Sequence, residues 1–97
     1  MNASSPSIVK NVVKHSTVTV PWEGGLHARP AAKLVQLARA FKANIELTCG
    51  EKIANARSII SVMLLCATLG STINVEISGE DEAQAMDAIE NAFKPES

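Results

Sequence analysis

Three stretches of this chain alternate polar and apolar residues almost strictly: "HSTVTVPW", "ANIELTCG" and "STINVEISG". That period of two belongs to strands buried on one face. Between them the spacing changes. From Ala28 to Phe41 the apolar residues Ala31, Leu34, Val35, Ala38 and Phe41 fall on one helical face, with Lys33, Gln36 and Lys42 away from it. Pro21 and the pair Gly24-Gly25 separate the first strand from this helix as a loop. Gly50-Glu51-Lys52 turns the second strand back, so that "IANA" returns antiparallel to it. "SIISVMLLCA" reads as a short helix capped by Ser58. A last helix opens on Glu80, Asp81 and Glu82, acidic where the helix dipole favours it, and buries Ala85, Met86, Ile89, Ala92 and Phe93. The order is β-α-β-β-α-β-α, with no internal repeat. An α+β fold with one antiparallel sheet and the helices on one face packs such a chain most economically.

Ninety-seven residues give room for one domain. Residues 1–14 read as an N-terminal extension and 15–97 as the folded domain. A net charge of −1 argues against nucleic-acid binding, and with only Trp22, Phe41 and Phe93 as aromatics no base-stacking platform is expected. The longest apolar run, "IISVMLLCATL", is too short to cross a bilayer, and the polar N-terminus lacks the pattern of a secretion signal. A cytoplasmic protein without membrane insertion is therefore expected. Cys49 and Cys66 form no metal-binding pair, so both are expected as core thiols, with no metal and no cofactor.

The chain has two histidines. His15 precedes the first strand without a basic or glycine neighbour and is expected to be merely solvated. His27 lies in "GGLHARPAA", at the start of the first helix, with Pro30 suited to the first turn. The first backbone N–H groups of a helix have no intrahelical partner, and the dipole places partial positive charge there. Such a site binds phosphate. The amides around Ala28 and Arg29, the Arg29 guanidinium and the closely approaching Gly24-Gly25 backbone all suit phosphate oxygens. An imidazole must attack while neutral, and these surroundings stabilise a dianionic phosphoryl group once it has been transferred. The plain alternative is a surface cap residue beside a solvated arginine.

"GLHARPAA" resembles the active-site signature of the HPr family, the histidine-containing phosphocarriers of the bacterial phosphoenolpyruvate-dependent phosphotransferase system. "EKIANARSIISVMLL" resembles the family's regulatory serine region and "SGEDEAQAMDAI" its last helix. The likeness covers about residues 16 to 94. It implies an open-faced β-sandwich of four antiparallel strands backed by three helices. It also implies that His27 takes phosphoryl from phospho-enzyme I on Nδ1 and passes it to an enzyme IIA domain, with Arg29 and the helix-start amides holding the phosphate. Ser58 would be the site of an ATP-dependent HPr kinase/phosphorylase.

Four positions depart from the family pattern. Gly24 stands where a small polar residue usually helps orient the site, Glu23 and Trp22 add a carboxylate and a large ring beside it, and Cys66 replaces a Gly or Ala. The serine-region helix is apolar almost all round. With Val62 and Leu65 inward, Ile59, Ile60 and Met63 should stay partly exposed, as a docking surface with Ala28, Arg29 and Ala32. Two other readings stand beside the carrier: a binding protein regulated mainly through Ser58 with little transfer through His27, and a metal-carrying ferredoxin-like domain, which lacks clustered ligands.

Overall fold

The three alternating segments and "IANA" form four strands, β1 (Lys14–Thr19), β2 (Asn44–Cys49), β3 (Lys52–Asn55) and β4 (Thr72–Ser78), in a computed structural model that describes residues 13–94. Most of the expected N-terminal extension, residues 1–12, lies outside the described residues; Lys14 already belongs to β1, opposite Ile77. The helices are α1 (Ala28–Arg39), α2 (Ile59–Met63) and α3 (Glu82–Ala92). All strand pairs are antiparallel, in the order β1-β4-β2-β3. The fold is the α+β open-faced sandwich expected.

Alternation sorts the two faces of the sheet. Val18, Ile45, Leu47, Ile73, Val75 and Ile77 point to the helices and are buried. Against them pack Ala31, Leu34, Val35 and Ala38 of α1, Val62 of α2, and Ala85 and Ile89 of α3. Alternate residues such as Thr17 and Asn74 face the uncovered side, bonded to each other across the strands at 3.3 Å. Burial of one apolar face per element is the main stabilising term, at roughly 1.5–3 kcal/mol for each fully buried large aliphatic side chain.

Several details depart from the sequence pattern. α1 ends at Arg39, and Phe41 packs half-buried beyond it. α2 is only five residues long. The chain closes it through bonds from the amides of Leu64, Leu65 and Cys66 to Ile60, Val62 and Met63, and Cys66 then takes φ 53°. That left-handed backbone turns the Cys66 side chain outward, so Cys66 is exposed and Cys49 half-buried; neither is a fully buried core thiol. His15 lies within β1 rather than before it, and its Nδ1 faces the Glu76 carboxylate of β4 at 3.8 Å.

Asp81 occupies the N-cap of α3, its carbonyl accepting from Ala85 at 2.9 Å, but its side chain makes no bond to its own helix. Its carboxylate instead accepts from the amides of Lys42 (2.8 Å) and Ala43 (2.9 Å), joining α3 to the entry of β2. The Lys42 bond above all, with help from Ala43 and against partial desolvation, holds this carboxyl below the ordinary aspartate value. A depressed folded value means the stabilisation is complete above the unfolded value, about 3.9, and is lost as pH falls through the folded one. In acid unfolding followed by circular dichroism, Asp81→Asn should be less stable than wild type at neutrality and lose less stability below about pH 4. Parallel acid-unfolding curves for the two proteins would contradict this role.

Candidate functional site

The loop after β1 is built to deliver the backbone to the mouth of α1. Gly25 closes a tight turn by donating to the Trp22 carbonyl at 2.9 Å, with φ 72°. A side chain there would meet the Ala67 carbonyl oxygen at 2.4 Å. The next amide, Leu26, donates to that same oxygen at 2.9 Å, and Leu26 is itself buried. The loop is thus pinned to the segment that follows α2, and the next residue is His27.

His27 is the N-cap of α1, with extended backbone (φ −82°, ψ −167°) and a side chain that makes no bond to the helix it caps. Its carbonyl accepts from Ala31 at 2.9 Å. Pro30 has no N–H, so the amides of Ala28 and Arg29 are the ones the helix leaves without an intrahelical acceptor. His27, Ala28 and Arg29 are all exposed. The mouth of α1 therefore presents an imidazole, two amides, the positive end of a dipole and an exposed arginine, a set of groups suited to an anion.

Gly24 has a role that the sequence pattern did not disclose. A Cβ at this position would lie 2.8 Å from Cδ2 and 3.2 Å from Nε2 of His27. The Cδ2–Nε2 edge of the ring therefore rests against glycine backbone, and Nδ1 lies on the opposite edge. Where the family pattern suggests a lost polar contact, the ring gains a seat. Trp22 stacks on Phe93, at 5.3 Å between centroids and 42° between planes, and lies half-buried against the core. Glu23 is exposed on the turn.

Beyond the helix mouth, a cleft of about 1090 Å³ lies between α1 and α3, lined by His27, Arg29 and Trp22 and by Lys33 and Lys94. Sequence reasoning passed over Lys33 and Lys94. The spacing of Arg29 and Lys33, four apart on one helix, could have marked the first. No local signal marks Lys94, which the fold brings in from the end of α3.

Ser58 caps α2, its Oγ accepting from the Ser61 amide at 3.3 Å. Two arginines tie down the residue before it. Arg39 donates to the Arg57 carbonyl at 3.1 and 3.3 Å, while Arg57 reaches the carbonyls of Phe41 and Ala43. On α2, Val62 and Leu65 are buried; Ile59, Ile60 and Met63 are 38%, 67% and 37% exposed. Leu64, which the pattern left unassigned, is 64% exposed beside them. Ala32 of α1 is half-buried. Among the described residues no three His, Cys, Asp or Glu side chains converge as metal ligands, and no helix is long and apolar enough to cross a membrane.

A family model described as the PTS HPr component phosphorylation site matches residues 14–95. The phosphocarrier protein HPr of Xylella fastidiosa (strain Temecula1) is 47% identical over 77 residues, 79% of this chain and 86% of that protein. That of Treponema pallidum (strain Nichols) is 42% identical over 78 residues, covering 80% and 89%. Among solved structures, the phosphocarrier HPr from Bacillus anthracis is similar at TM-score 0.82 and 36% identity, covering 87% of this chain and all (100%) of that one. Crh, the Bacillus subtilis catabolite repression HPr, is similar at TM-score 0.63 and 33% identity, covering 87% and 100%.

Proposed function

The chain belongs to the HPr phosphocarrier family of the phosphotransferase system, and from that footing we propose that His27 is its phosphoryl acceptor. Nδ1 attacks the phosphorus held by phospho-enzyme I; the new N–P bond forms as the donor's bond to phosphorus breaks. A second attack, by an enzyme IIA domain, returns His27 to its starting state. The observation that carries this reading is the N-cap itself. His27 leaves its own helix uncapped, so the ring and the amides of Ala28 and Arg29 can engage one phosphoryl group together. The packing of the Cδ2–Nε2 edge against Gly24 supports Nδ1 as the attacking atom. Arg29 adds a two-point contact to the phosphate oxygens. Incubation with phosphoenolpyruvate and enzyme I should leave an acid-labile, base-stable phosphate that enzyme IIA removes. An unlabelled or acid-stable product would overturn the reading.

Ile59, Ile60 and Met63, with Ala28, Arg29 and Ala32, form the surface that enzyme I, enzyme IIA and an HPr kinase/phosphorylase would share; the setting is cytoplasmic and needs no cofactor. Ile60 is 67% exposed, so Ile60→Glu should alter folding stability by no more than about 0.5 kcal/mol. It should weaken enzyme I binding about tenfold or more, because the charge must be desolvated against an apolar partner. Calorimetric titration beside a thermal melt separates the two; unfolding in place of weakened binding would mark Ile60 as core.

Phosphorylation of Ser58 would regulate this docking. A phosphate there adds about −1.5 to −2 charges. It would oppose the acidic groups expected on a partner that meets Arg29 and Arg57. Ser58→Asp should fold normally yet be labelled by phospho-enzyme I roughly tenfold more slowly at low salt, with the loss easing as salt rises. An unchanged rate at low salt would leave Ser58 a helix cap alone. A second reading is a binding protein controlled mainly through Ser58, with little transfer through His27; rapid labelling of His27 discriminates against it.

A further inference from the structure

We propose that the cleft between α1 and α3 is a second binding surface, which takes an acidic amphipathic segment of a protein partner. It lies apart from the exposed residues of α2 and does not depend on phosphoryl transfer through His27. The floor is apolar and low: Leu34 and Leu37 line it from α1, and the small residues Ala88 and Ala92, one turn apart, line it from α3. Small side chains on one wall and leucines on the other suit a helix laid into a groove. Trp22 also lines the cleft and is held in place by its stack on Phe93.

Charge selects the occupant. Arg29, Lys33 and Lys94 line the cleft, all three exposed, and among the described residues no carboxylate lines it. This segregation runs against the composition, since the chain has ten acidic residues to nine lysines and arginines. The acids of α3 sit elsewhere: Glu90 accepts from Ser16 of β1, and Asp87 is exposed outside the cleft. A cationic rim over an apolar floor favours a segment that has carboxylates on one face and aliphatic side chains on the other. A lone phosphate would be satisfied at the mouth of α1 and would gain nothing from Leu37, Ala88 or Ala92.

Trp22 is the chain's only tryptophan, so its emission reports directly on the cleft. The probe is a synthetic helical peptide with leucine on one face and glutamate on the other, titrated into the full chain. A saturable change in Trp22 emission is expected, absent with a counterpart carrying lysine for glutamate. Lys33→Glu should weaken binding about tenfold, Lys52→Glu on β3 should not, and amide shifts in NMR should centre on Leu37, Ala88 and Ala92. Three results would overturn the proposal: no saturable change, equal binding of the basic peptide, or indifference to Lys33→Glu. So would a full response to inorganic phosphate alone, which would reduce the cleft to the anion site at the helix mouth. Labelling of His27 is measured separately, so failure of either reading leaves the other standing.

Discussion

His27→Ala protein should take up no phosphate from phosphoenolpyruvate and enzyme I, while melting close to wild type. Both halves follow from the N-cap. The His27 side chain makes no bond to α1, so truncation removes no capping interaction, and the change in stability should be about 1 kcal/mol or less. The carbonyl that accepts from Ala31 belongs to the backbone and survives. What disappears is the only imidazole at the helix mouth; His15 lies in β1, beside Glu76. The amides and Arg29 would still attract an anion but have no nucleophile to offer it. The checks are labelling with radioactive phosphoenolpyruvate and a parallel thermal melt. Residual acid-labile label on the variant would move the acceptor away from His27.

The second large effect concerns a residue with no chemistry of its own. Gly25→Ala should destabilise the fold by about 3 kcal/mol, the sum of a left-handed backbone for an L-residue and a hard contact with the Ala67 carbonyl oxygen. For a domain of this size that lowers the melting temperature by roughly 12–24 °C. The obstacle is backbone and cannot rotate away. Leu26 bonds the same oxygen, so relief of the clash also draws the segment leading to His27 off its anchor, and labelling should slow. Gly24→Ala makes the control. Its Cβ meets the His27 ring, a side chain that can turn aside, so stability should change little while the seat of the ring is lost. Equal melting temperatures for the two variants would show that the Ala67 anchor is dispensable.

Much of this was legible in the residues. Strict alternation identified β1, β2 and β4 and their inward faces, because a period of two admits no other buried arrangement, and the turn at Gly50 placed β3. The stripe from Ala31 to Ala38 placed α1, and "GLHARP" placed His27 at its cap. The apolar excess on α2 revealed an exposed patch, since five residues cannot bury every side. What stayed hidden depends on partners distant in sequence. Cys66 is exposed because of one left-handed residue, which no composition rule foretells. The Asp81 side chain bonds Lys42 and Ala43, about forty residues away, and not its own helix. The Trp22–Phe93 stack and the arrival of Lys94 at the cleft exist only once α3 has packed.

The strand order has a consequence for how the site comes into being during synthesis. Among the described residues β1 has one neighbour in the sheet, and that neighbour is β4. The hairpin of β2 and β3 can close as soon as it emerges, because its contacts are local. β1 cannot; its ladder waits for residues 72–78. The amide of Val20 likewise waits for the Ser71 carbonyl, and that of Leu26 for Ala67. A nascent chain halted before β4 would carry the whole His27 motif and none of the framework that shapes it. The segment that bears His27 leaves the ribosome before β4 and acquires its form only after it.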